Sequence, residues 1–246
     1  ERKKKNVKTL SVTIDGSDCL YQCHHCGLSG RYNRPSIVKQ VQPQKVRAIS
    51  VPSTSDQELI NNYLLSRSID PLSVTSYPVV SGRKYFNGSG EMDAIGFVYG
   101  DREAVKWRSI QGKNFTQDGA ARTLWGIDQV EEDAKDIIFV EGESDLLACA
   151  SVGIKNVVSV PNGAPQKVSN SKVNPEEDKK FSYVWTAREK LEKAERIILA
   201  IDYDEAGIAL SEELARRIGR AKCWTIEYPE GCKDCNDVLK HHGADV

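Results

Sequence analysis

Three carboxylates stand where two apolar runs stop. IIFVEGESD (residues 137–145) ends its hydrophobic stretch at Glu141, and RIILAIDYDEAG (196–207) ends at Asp202 and Asp204. A buried strand gathers negative charge at its tip only where something positive meets it. Asp202 and Asp204 are two residues apart, so an extended backbone points both to one side. Convergence of such acids creates repulsion that a divalent cation relieves. Oxygen ligands with no histidine nearby select Mg²⁺ or Mn²⁺ over zinc. Gly142 and Gly207 suit a close backbone approach to a ligand after each strand. The competing reading is that each acid merely caps the helix after its strand. Two such motifs in one strand–helix alternation favour the metal.

A second group is basic. VKWRSIQGKNF brings Lys106, Arg108 and Lys113 together, with Lys106 and Arg108 alternating onto one strand face where they could meet phosphates. On composition alone the same residues read as a solvated strand face. A third group holds thiols. Cys23-x-x-Cys26 followed by Gly27 reads as one zinc knuckle on a hairpin. A complete ribbon needs two knuckles. Cys19 with His24 or His25 would complete a site locally, Cys232-x-x-Cys235 would supply a distant pair, and neither is favoured.

Positioning these groups requires elements of two kinds. From Asp136 strands alternate with helices: IIFVEGE, then DLLACASVG; NVVSVPNG, then WTAREKLEKA; RIILAID, then IALSEELARRIG; and finally CWTIEYP. That alternation predicts a largely parallel sheet in an α/β layer, where ligands sit at the carboxyl ends of strands. Residues 164–180 are polar and read as a surface insertion. Before Asp136 the pattern differs. Asp56-Gln57-Glu58 opens a helix through about Arg67, with Ser55 as its N-cap. SVTSYPVV, KYFNG, DAIGFVYG and AVKWRSI read as short strands of a small mixed or antiparallel sheet. Residues 1–30 read as a β-hairpin unit with a turn at Asp15-Gly16, and residues 31–55, with three prolines, as a linker.

At 246 residues, 28% charged, with a net charge of −1, the chain is globular and not an avid polyanion binder overall. No apolar run reaches membrane-spanning length. Glu1-Arg2-Lys3-Lys4-Lys5 has no apolar stretch behind it, which excludes a signal peptide at that position. Seven cysteines in a chain this large read as reduced thiols and metal rather than a disulfide scaffold.

The strand-ending Glu141 in VEGESD and the D-x-D of Asp202 and Asp204 in IDYDEAG resemble the TOPRIM domain shared by primases, topoisomerases and some nucleases. VVSVPNGAP, YVWTAREKLEKAERIILAIDYDEAG and CKDCNDVLKHHG extend the likeness to the primase part of Twinkle-type primase-helicases of phages and organelles, over Lys106 to Gly243. The resemblance implies an α/β fold: a TOPRIM Rossmann-like parallel sheet, preceded by a small α+β subdomain and a partial zinc-ribbon segment. It divides the chain into a zinc-ribbon-like segment at 1–33, a linker at 34–55, the N-terminal subdomain of an RNA polymerase domain at 56–135, and the TOPRIM domain at 136–246. It adds Asp234 to the metal site and Asp145 behind it. It assigns Lys106 and Lys113 to the nucleotide or nascent primer, and makes Arg67 functional beside Arg108. Cys235 stands where the family usually has alanine.

The function so implied is DNA-templated synthesis of short RNA primers on single-stranded DNA by metal-dependent nucleotidyl transfer. Its cofactor is Mg²⁺ or Mn²⁺, with zinc at Cys23 and Cys26. Its partners are single-stranded DNA template, ribonucleoside triphosphates, a replicative helicase, fused or separate, and a DNA polymerase, with no membrane. Its place is intracellular: an organelle matrix, mitochondrial or plastid, or a phage-infected bacterium. The resemblance also implies that the chain starts midway through the zinc module. No G-x-x-x-x-G-K-[ST] is present, so a helicase motor is not expected within it. The alternatives are a TOPRIM nuclease, since one metal site can also break phosphodiesters, and a silent single-stranded DNA-binding module, against which the intact acids argue.

Overall fold

The structure, a computed structural model, describes residues 10–15, 18–24, 26, 29–33, 48–52 and 55–244. It forms two compact units, Glu1–Lys45 and Val46–Val246. In the first, β1 (Leu10–Asp15), β2 (Asp18–Cys23) and β3 (Ser29–Asn33) make a three-stranded antiparallel sheet. The expected hairpin is its first two strands, with Leu10 opposite Cys23 and Asp15 opposite Asp18. Residues 34–47, the greater part of the expected linker, lie outside the described residues.

The second unit begins with an antiparallel meander. β4 (Val79–Phe86), β5 (Gly90–Tyr99), β6 (Ala104–Ser109) and β7 (Phe115–Gly119) pair in chain order. Helix α1 (Gln57–Leu65) packs beside it. Its N-cap is Asp56 rather than Ser55: the Asp56 carboxylate accepts from the Leu59 amide at 3.0 Å, while Ser55 Oγ instead accepts from the Ser81 amide. The first part of SVTSYPVV is a short 3₁₀ turn, Pro71–Val74, and the strand starts only at Val79. Asp70 caps that turn, and Pro71 is preset for its first position. Ile49 and Val51 pack against Phe86, Val98 and Trp107 on the outer face of the meander.

The other layer is a parallel sheet in the order β11–β10–β8–β9, with β8 (Asp136–Val140), β9 (Val157–Ser159), β10 (Arg196–Ala200) and β11 (Cys223–Thr225). Its helices are α2 (Glu143–Ser151), α3 (Ser182–Thr186), α4 (Arg188–Lys193), α5 (Glu205–Ile218) and α6 (Cys235–His242). The single helix expected in WTAREKLEKA is two short ones, broken at Ala187. Nearly unbroken apolar strands fit a sheet covered on both faces. One side buries Ile137, Phe139, Ile197 and Leu199 against α3, α4 and α5. The other joins Val140 and Ala200 to α1, α2 and the meander.

Register is fixed where the two central strands begin. Arg196 reaches Asp136 through two bonds, 2.6 and 2.5 Å, so Ala200 pairs with Val140. Glu141 and Asp202 therefore leave adjacent strands one residue out of step. The 164–180 insertion has neither helix nor strand. It is held to α5 by Arg217, which bonds Asp178 at 2.6 Å and stacks on Phe181 at 3.7 Å, and by Arg216 on the Ser171 carbonyl at 2.5 Å.

Candidate active site

Glu141 follows β8 and is half-buried. Its Oε2 is fully buried and has no hydrogen-bond partner among the described residues. Burial, then repulsion from Asp204, raises its pKa; the Ala164 amide, Lys106 and Lys233 oppose the rise. Asp202 follows β10. Burial, then Glu141, Asp234 and Asp204, raises its carboxyl from the ordinary 3.8 to about 7, with Lys233 opposing. Asp145, in the first turn of α2, is buried and accepts from the Asn236 amide at 3.1 Å. Burial, then Asp234 and Asp202, pushes its pKa well up. Glu141, Asp145 and Asp202 thus each feel the charge of at least one other expected acid, with Asp204 and Asp234 among the sources. The chain joins them by one backbone bond, from the Tyr203 amide to the Lys233 carbonyl at 2.9 Å, which ties the loop after β10 to the loop before α6.

Two of these acids also cap helices, as the competing reading had it. Asp204 Oδ1 accepts from the Gly207 amide at 2.8 Å and starts α5; Asp234 Oδ1 accepts from the Asp237 amide at 2.7 Å and starts α6. A cap occupies one carboxylate oxygen, and the other remains for a cation. Gly142 and Gly207 are needed for a different approach from the one expected. A Cβ at Gly142 would stand 2.6 Å from Asp145 Oδ2, and one at Gly207 would overlap the Asp202 carbonyl oxygen. The close neighbours are the protein's own acids.

Among the described residues no three Asp, Glu, His or Cys side chains close into a metal cage. The donor set nevertheless suits a hard divalent cation. It consists of oxygens alone, one of them buried and orphaned, and one acid is driven to near-neutral pKa by burial and then by its like-charged neighbours. In the first unit, Cys23 is half-buried and Cys26 exposed. His24 Nε2 lies 3.0 Å from Ser11 Oγ, and the side chains of Cys19 and His25 fall outside the described residues.

The basic strand is not the solvated face that composition suggests. Lys106 pairs with Glu143 at 2.6 Å, their side chains 19% and 6% exposed, and Tyr99 donates to the same Glu143 oxygen at 2.5 Å. Glu143 was not legible as a site residue, because it reads as an ordinary first-turn acid of α2. Arg108 lies over Phe115 at 5.2 Å and Arg67 over Tyr63 at 5.1 Å. Both line a pocket of about 350 Å³ with Asn62, Gly112 and Lys240. Burial, and repulsion from Arg67, depress the Arg108 pKa. Lys113 is exposed in the β6–β7 turn. Asn236, also not foreseen, joins pocket to acids. Its Oδ1 accepts from Arg67 at 2.9 Å, its Nδ2 donates to the Arg67 carbonyl at 2.8 Å, and its amide reaches Asp145.

Residues 135–227 match the Toprim domain model. Asp234 lies beyond that match and is brought to the site by the fold. The chain is 36% identical over 255 residues to the Twinkle homolog protein, chloroplastic/mitochondrial, of Arabidopsis thaliana, covering 96% of this chain and 35% of that protein. It is 35% identical over 250 residues to the primase homolog protein of the same plant, covering 96% of this chain and 72% of that protein. The chain thus spans about a third of the Twinkle homolog it matches. Among solved structures, the primase fragment of the bacteriophage T7 primase-helicase superposes with a TM-score of 0.56 at 21% identity, covering 91% of this chain and 87% of that one.

Proposed function

Because this chain belongs to the family of the Twinkle and primase homolog proteins, we propose that it makes short RNA primers on single-stranded DNA by nucleotidyl transfer. The observation that carries the proposal is Asp202 at the end of β10, repelled by Glu141 at the end of β8 and by Asp234 at the start of α6, with Lys106 beside Glu141. Acids held that close lower folding stability unless a cation joins them, and nucleotidyl transfer is chemistry that needs one.

Glu141, Asp202, Asp204 and Asp234 would hold Mg²⁺ or Mn²⁺, with Asp145 behind. A cation held there would supply activation of an attacking 3′-hydroxyl and neutralisation of charge on the departing diphosphate. The chain's own groups do the rest. Lys106, held by Glu143, lies beside the acids, where triphosphate charge must be neutralised. Lys113, Arg108 and Arg67 offer further cations along the strand face and pocket, suited to phosphates of nucleotide, primer or template. Asn236 fixes Asp145 and Arg67 together, so acids and pocket keep one spacing.

The partners proposed are single-stranded DNA, ribonucleoside triphosphates, a replicative helicase and a DNA polymerase, in a mitochondrion or plastid. The Twinkle homolog's description and the primase-helicase likeness support this. No helix among the described residues is long and apolar enough to cross a membrane. A zinc site at Cys23 and Cys26 belongs to the same proposal. The test is incubation with labelled ribonucleotides, Mg²⁺ and a library of single-stranded templates. Template-dependent short RNA supports the reading. Cutting of the DNA without RNA would replace it with a nuclease.

A further inference from the structure

Helices α2 and α6 meet through a pair of sulfur atoms that primer synthesis does not use. Cys149 lies four residues after Asp145 on α2, so both side chains stand on one helix face. The Asn236 amide bonds Asp145 at 3.1 Å and holds the start of α6 against that face. Cys235, the residue just before, then packs against the next turn of α2, in the same apolar cluster as Cys149. The two side chains belong to one apolar cluster, with Cys149 buried and Cys235 half-buried. The Tyr228 hydroxyl lies 3.7 Å from Cys235 Sγ. Cys232 shares the C-x-x-C spacing, but its charged neighbours are Asp237 and Asp234. The sulfur that Cys235 meets comes from α2, not from its own loop.

We propose that Cys149 and Cys235 are an oxidation site: they form a reversible intrachain disulfide that switches off the acid cluster, with a peroxide as the oxidant. Cys235 is the more accessible and reacts first. Its sulfur attacks one peroxide oxygen, the O–O bond breaks, and a sulfenic acid and one water result. Cys149 sulfur then attacks that sulfenic sulfur and expels the hydroxyl as a second water. The two thiols lose two electrons and two protons, and the peroxide takes up both. A dithiol reductant reverses the change. A covalent bond draws the first turn of α6 toward α2. Asp234 precedes Cys235 directly, and Asp145 is one turn from Cys149, so both acids move. Displacement of about 1 Å costs on the order of 10²-fold in rate. The disulfide itself stands without the primase reading; only its effect on activity rests on it.

The full chain, reduced and desalted, is treated with hydrogen peroxide, alkylated and mapped by mass spectrometry. A Cys149–Cys235 cross-linked peptide is expected, lost on treatment with dithiothreitol. The oxidised, metal-free chain should melt about 5 °C or more above the reduced one, because the bond closes a long loop. Primer synthesis should fall about 10²-fold and return on reduction. Cys149→Ser and Cys235→Ala should each make primers at the untreated rate and ignore peroxide. A bond from Cys235 to Cys232, sulfinic acid on Cys235 alone, or a cross-linked chain that still makes primers at full rate would overturn the proposal. A reversible cross-link and melting shift in a chain that makes no primers even when reduced would instead count against the primase reading.

Discussion

Asp202 is the acid whose strain a pH series reads most directly. Its folded pKa of about 7 lies above the ordinary 3.8, so the folded state holds its proton more tightly than the unfolded chain. Its contribution is favourable below about pH 4 and is lost as pH rises to about 7. Without metal, the wild type should therefore lose stability over that window, and Asp202→Asn should lose less. Solvent still reaches this half-buried group, which holds the difference to about 1–2 kcal/mol; urea melts at pH 4 and pH 8 measure it. A wild-type curve as flat as the variant's would mean that the acids do not repel. Lys106 gives a second test. Lys106→Ala strands Glu143 in a buried site and should cost about 2–3 kcal/mol. Adding Glu143→Gln should recover most of the stability but not nucleotide use. Recovery of both would reduce Lys106 to a structural partner. Charge at the strand tips is readable from residue types, because apolar runs that end in acids are conspicuous. The Lys106–Glu143 pair and the Asn236 hub are not. Asn236 meets Arg67 across 169 residues of chain, and no local pattern announces such a contact.

At the scale of elements, Asp204 and Asp234 are at once helix caps and acids of the site, and the two roles can be separated. Asp234→Ser keeps a capping oxygen and removes the charge, so α6 should stay within about 0.5 kcal/mol while primer synthesis is lost. Asp234→Ala removes both and should cost about 1 kcal/mol more. Thermal melts and primer assays on the pair distinguish the roles; active Asp234→Ser would leave Asp234 only a cap. The strand–helix alternation after Asp136 is legible because fully covered parallel strands are continuous apolar runs while their helices are amphipathic. β7 was not foreseen, because FTQDG is a polar strand at the edge of the meander and lacks that signal. The break at Ala187 was missed because alanine is itself a good helix former and Arg188–Lys193 continues with others, so no residue there marks a stop.

The two layers of the second unit set acids on one and cations on the other. The parallel sheet sets Glu141 and Asp202 side by side, with Asp234 at the start of α6 acting on Asp202, and the meander brings Lys106 up to Glu141 and Arg108 toward Asp145. A net charge of −1 gives the chain no general pull on a polyanion, so among the described residues this local basic face beside the acids is the surface offered to a strand of nucleic acid. Binding to single-stranded DNA should be weak. With roughly four phosphate contacts, log K should fall by about 3 per tenfold rise in salt. Fluorescence anisotropy across a salt series measures this; a tight, salt-insensitive complex would reveal a different surface. The central claim is that these acids share a divalent cation. A ligand that binds only the folded state raises its melting temperature by mass action. The most direct measurement is the melting temperature of wild type and Asp202→Asn at pH 8, with and without Mg²⁺. The account predicts a clear Mg²⁺-dependent rise in the wild type and little or none in the variant. An equal rise in both, or none in either, would contradict it.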